Sequence, residues 1–72
     1  MEENEFVENW TNIRDKYSNE MVDILLENGC MIRANQYKIE KINMPSYIGY
    51  LYLYYDDIWV SLVRLDKVIA VS

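Results

Sequence analysis

The chain has no histidine, one cysteine, one proline and two glycines among its 72 residues. Each shortage removes a class of chemistry. Without histidine, the commonest general base and the commonest neutral metal ligand are both missing, so a metal site would have to be built from carboxylates. Cys30 cannot form a disulfide within the chain and has no imidazole to activate it. Beside a tight loop, it reads as a small core hydrophobe rather than a nucleophile. There is no GxSxG elbow and no Gly-rich phosphate loop. No apolar run approaches the roughly 20 residues of a membrane span, and the chain opens without a basic-then-apolar leader. These absences predict a soluble, cytoplasmic non-enzyme with no cofactor and no metal.

What is present suffices for one folded domain over residues 1–72. Half the chain is hydrophobic (51%), and seven Tyr, two Trp and one Phe supply large apolar surfaces. A domain of this size buries only about 60–65% of its unfolded surface, so the expected core is marginal. A homo-oligomer would supplement it, most simply a dimer, with a ring as the next choice.

The formal charge of −5 is uneven. Residues 1–20 hold six acids against two bases, whereas residues 21–72 are nearly balanced. Phosphate binding draws its affinity from clustered Lys and Arg, so this balance makes a poor general nucleic-acid binder. An acidic surface serves solubility, or presents itself to a basic partner. Seven Asn and eight Ile beside two Ala match the AT-rich codons of a low-GC genome, or of a phage growing in one.

Hydrophobic spacing then gives the elements. Phe6, Trp10, Ile13 and Tyr17 recur at i, i+4, i+7 and i+11, one stripe of a helix over about residues 5–17. Asn4 is the expected cap, Glu5 and Glu8 suit the positive end of the dipole, and Ser18-Asn19 marks the exit. A strand over 21–26 and a second from Cys30 flank Glu27-Asn28-Gly29. A three-residue loop with Gly29 in the left-handed region pairs Leu26 with Cys30, Ile24 with Ile32 and Val22 with Ala34 on one face, and Asp23 with Arg33 on the other. Beyond Ala34 the pattern blurs: either the strand bends through a bulge near Asn35-Gln36, or a new one begins at Tyr37. Residues 43–46 form a loop, because Pro45 forbids a central strand. Strands over 50–55 and 58–63 flank Asp56-Asp57, turn residues rather than a metal pair. A plain two-residue turn there sets Leu53 against Val60 and Leu51 against Leu62. Residues 64–67 turn the chain into a last strand over 68–71. The expected core is Val22, Ile24, Leu26, Ile32, Leu51, Leu53, Val60, Leu62, Val68 and Val71.

This order of a leading helix, Leu26-Glu27-Asn28-Gly29, a bent second strand, a strong hairpin and the spacing Val63, Leu65, Val68, Ile69, Val71 resembles the Sm-like fold of bacterial Hfq-type RNA chaperones, a relative of SH3-like barrels. The resemblance covers roughly residues 5–72. It implies an α+β, mostly β chain: a helix followed by a strongly bent five-stranded antiparallel barrel over about residues 21–72, able to assemble as a ring. That family carries a Tyr-Lys-His motif entering the last strand, where this chain has Val63-Arg64-Leu65. The RNA site is therefore not implied.

One feature rises above the background: Tyr50, Tyr52 and Tyr54 form a stripe with Trp59 across from it. It is either a packing face covered by the helix, or a platform for a base, a nucleotide or another protein's side chains. A small acidic chain without catalytic groups suggests a binding protein, such as a phage or mobile-element inhibitor that blocks a nuclease of host defence. Its contact would combine Glu2, Glu3, Glu5 and Glu8 with Tyr52 and Trp59 as anchors, the carboxylates standing in for phosphates. The alternative is a Sm-like oligomer that binds or sequesters a nucleotide or RNA.

Overall fold

The computed structural model describes residues 1–17, 21–43 and 47–72. Among these residues one helix, α1 (Glu3–Tyr17), precedes six strands: β1 (Val22–Leu26), β2 (Met31–Ala34), β3 (Gln36–Asn43), β4 (Tyr47–Tyr55), β5 (Ile58–Arg64) and β6 (Val68–Val71). A single 3-10 turn, Leu65–Lys67, joins β5 to β6. The strands form two antiparallel sheets, β2-β1-β6 (sheet A) and β3-β4-β5 (sheet B). The chain is thus α+β and mostly β. It is not a closed barrel of five strands: of the two alternatives beyond Ala34, a new strand begins, at Gln36 rather than Tyr37, and β2 and β3 lie one in each sheet. Among the described residues no helix is long and apolar enough to cross a membrane.

The first hairpin has the register expected from its apolar alternation. Val22 faces Ala34, Asp23 faces Arg33 and Ile24 faces Ile32. Gly29 takes a φ of +89°, which strains any side chain, and the Leu26 amide donates to the Cys30 carbonyl at 2.8 Å. Cys30 itself is exposed, contrary to the core role expected for it, because the loop carries it past the last core position, Leu26.

The second hairpin departs from expectation. Tyr54 faces Trp59, but Leu53 faces Ser61, so Val60 is an extra residue in a β-bulge. Every later side chain of β5 changes face. Leu62 sits opposite Tyr52 rather than Leu51, and Val60 and Leu62 are exposed instead of buried. Leu65, Ala34 and the helix residues Phe6 and Trp10 join Val22, Ile24, Leu26, Leu51, Leu53 and Val68 in the core. Ile32 and Val71 pack against it, partly buried.

The helix begins two residues earlier than its spacing suggests. The Phe6 amide donates to the Glu2 carbonyl at 2.9 Å, which leaves Asn4 inside the first turn rather than capping it. The Met1 amine reaches the carbonyls of Leu65 and Val68, each at 3.0 Å, and so ties the helix start to the turn before β6. Phe6 and Trp10 meet Tyr37 of β3 edge-on, with ring centroids 5.2 and 4.8 Å away. The expected helix exit at Ser18-Asn19 and residues 44–46 of the expected loop lie outside the described residues, while Asn43, expected in that loop, instead ends β3 in register with Tyr47.

Candidate binding surfaces

Alternation along β4 decides whether the helix covers the tyrosines. Leu51 and Leu53 are fully buried, and Tyr37, which faces Leu53, is the residue α1 rests on. Tyr50, Tyr52 and Tyr54 point the other way and are only half-buried. The stripe is therefore open, on the side of sheet B away from α1. Cross-strand rows organise it: Gln36–Tyr54–Trp59, Lys38–Tyr52–Leu62, Glu40–Tyr50–Arg64 and, at the far end, Ile42–Ile48. Trp59 is 58% exposed, Leu62 43% and Ile42 47%.

Polar groups fix this face without charging it. The Glu40 carboxylate accepts a hydrogen bond from Tyr52, which raises the phenol's pKa above its ordinary value; desolvation and neighbouring like charges add to the shift. Lys38 lies 4.0 Å from Glu40, and Arg64 holds Asp66 through two bonds of 3.1 and 2.7 Å. Leu62, Glu40 and Arg64 are members of the surface that the sequence did not single out. Only the bulge brings Leu62 here, and the register of β3 brings Glu40.

The hairpin tip is held by an unusual device. Asp56 and Asp57 both adopt positive φ, +50° and +69°, as a two-residue hairpin turn of the primed kind requires. Asn35 donates to the Asp56 carboxylate at 2.8 Å and accepts from the Asp56 amide at 2.9 Å. Gln36 treats Asp57 in the same way, at 2.9 and 2.8 Å. The junction between the two sheets thereby clasps the turn 21 residues later.

The second surface is the solvent side of α1. At 100° per residue, Glu5, Glu8, Asn12 and Asp15 fall on one strip, opposite Phe6, Trp10 and Ile13. Glu3 is set apart by an ion pair with Lys41 at 2.6 Å. Five of the seven bases (Arg33, Lys38, Lys41, Arg64 and Lys67) lie within 4.0 Å of a carboxylate. Glu2, Glu5, Glu8 and Asp15 have no ion-pair partner among the described residues. The structure therefore does not bring the eight expected binding residues together. Glu3, Glu5 and Glu8 lie on α1 with Glu2 just before it, and Tyr50, Tyr52, Tyr54 and Trp59 lie across sheet B from it.

No protein-family model, curated protein or solved structure matches the chain.

Proposed function

We propose that this is a non-enzymatic binding protein whose acidic helix face occupies the basic groove of a nucleic-acid-binding protein, with a nuclease of host defence as the target and a phage or mobile element as the setting. The observation that carries the reading is the row of α1 carboxylates without an ion-pair partner among the described residues. Most bases are neutralised where they stand, while Glu5, Glu8 and Asp15 share one strip with no ion-pair partner among the described residues. Their spacing along the axis is roughly 5 and 10 Å, which lets carboxylates stand in for successive phosphates. Tyr52 and Trp59, on the other side of sheet B, are not needed for that contact.

The experiment immobilises the chain through exposed Cys30 and captures proteins from a low-GC bacterial lysate. A basic nucleic-acid-binding protein should be retained, and either salt or a competing oligonucleotide should release it. The triple variant Glu5→Lys, Glu8→Lys, Asp15→Lys should keep its fold and retain nothing. Equal capture by that variant defeats the proposal.

The finer fold assignment is an open Sm-like or SH3-like barrel. It is supported by the passage of β2 into β3 with only Asn35 between, by the return of β6 to β1, and by the 3-10 turn before β6. That topology, with Tyr50, Tyr52 and Tyr54 alternating along β4, favours a second reading as an oligomer that binds or sequesters a nucleotide or RNA. Such a ligand should raise the melting temperature, and the effect should fade with salt. The pairing of Lys38 and Arg64 with acids weighs against it.

A further inference from the structure

We infer that the open face of sheet B is a self-association surface, and that two copies stack face to face about a two-fold axis running along β4. The cross-strand rows carry the inference. Glu40, Tyr50 and Arg64 share one row, with the acid on one outer strand of sheet B and the base on the other. A two-fold along the middle strand keeps each row at its own level and exchanges the outer strands. Glu40 of each copy then lies over Arg64 of the other, and Tyr50 lies over its own counterpart. One row on, the Lys38 stem covers Leu62; at the tip, Gln36 covers Trp59. The face is thus complementary to itself in charge.

Size and net charge agree with this occupant. The side chains open on the face expose on the order of 500 Å² per copy, so a pair buries about 1,000 Å², the lower bound for a specific interface. The chain carries −5, yet the middle of this face holds Lys38 with Glu40 and Arg64 with Asp66, which sum to zero. Two copies meeting here bring excess acid together only at the hairpin tips, through Asp56 and Asp57, whereas meeting through the α1 strips would do so along the whole contact. Packed sheets sit about 10 Å apart, which suits an interleaved layer of Tyr, Trp and Leu. The two helices end on the outside of the stack with both acidic strips exposed. The pairing is therefore independent of what α1 binds, and either proposal can fail alone.

Sedimentation equilibrium of the full chain tests it. The wild type should show a mass near twice 8.7 kDa at high micromolar concentration. Leu62→Glu should give a single-chain mass with unchanged circular dichroism, while Ile69→Glu, at a more exposed position on β6, should leave the dimer intact. Glu40→Arg and Arg64→Glu should each weaken association about tenfold by setting like charges opposite one another, and the double exchange should restore most of it. A wild-type mass of one chain overturns the inference. So does a dimer broken by Ile69→Glu but not by Leu62→Glu, which would indicate pairing along the β6 edge. Should the charge variants fail to fold, the Leu62 and Ile69 comparison decides alone.

Discussion

The clasp between the sheet junction and the hairpin tip makes a prediction with a sign. Asp57 holds a φ of +69°, which costs a residue other than glycine about 1 kcal/mol. Its carboxylate also accepts a bond from Gln36 at 2.9 Å, and an exposed hydrogen bond to a charged group is worth about 1 kcal/mol. Asp57→Gly removes both terms, so alone it should change stability by less than about 0.5 kcal/mol. Gln36→Ala alone removes that bond and the one its oxygen accepts from the Asp57 amide, so it should destabilise by about 2 kcal/mol, at roughly 4–8 °C in Tm per kcal/mol for a domain of this size. Once Gln36 is gone, only the strain remains at Asp57, so Asp57→Gly should then stabilise by about 1 kcal/mol. Urea unfolding of the four proteins, monitored by circular dichroism, measures the coupling. Equal effects of Asp57→Gly in both backgrounds would refute the offset between strain and clasp.

Burial and contact geometry set three further outcomes. Leu53→Ala, at a fully buried site, should cost about 2–5 kcal/mol, whereas Leu62→Ala should cost under about 1 kcal/mol in the unfolding of the dilute, dissociated chain; equal losses would place both in the core and contradict the bulge. Gly49→Ala should destabilise by about 1 kcal/mol or more in thermal unfolding, since its Cβ would stand 3.3 Å from Cδ2 of buried Leu65. In an ultraviolet titration, Tyr52→Phe should remove a phenol that ionises above the ordinary tyrosine range, and Glu40→Gln should lower that pKa by removing its main cause. Because folding raises this pKa, the associated stability is present below the unfolded value near 10 and is lost as pH rises through the native one.

Local pattern predicted what local interactions decide. The first hairpin was legible because Gly29 and the apolar alternation both point to one register. The helix was legible because Phe6, Trp10 and Ile13 form one stripe. The second hairpin was legible only as far as Tyr54 and Trp59. Its register beyond that pair depends on a turn of two aspartates at positive φ, made tolerable by amides 21 residues away, and no window of sequence displays that. One extra residue, Val60, then reversed the faces of Ser61, Leu62 and Val63. The same reversal hid half of the aromatic face, including the row in which Glu40 and Arg64 flank Tyr50. Core places expected for Val60 and Leu62 went to Leu65 and the helix, held down through Met1. The expectation that acids and tyrosines form one contact failed for a simpler reason: α1 and the stripe lie on opposite sides of β4.

The proposed function assigns the partner to α1 and leaves the tyrosine face out of that contact, and carboxyl footprinting reads the two sides separately. The complex with a captured partner would be labelled with a carbodiimide and a small amine, then mapped by mass spectrometry. Glu5, Glu8 and Asp15 should lose most of their labelling, while Asp56 and Asp57 at the hairpin tip keep theirs. Protection of Glu40, Asp56 and Asp57 beyond that in the free protein, with the helix carboxylates fully labelled, would contradict the proposal and place the partner on the aromatic face.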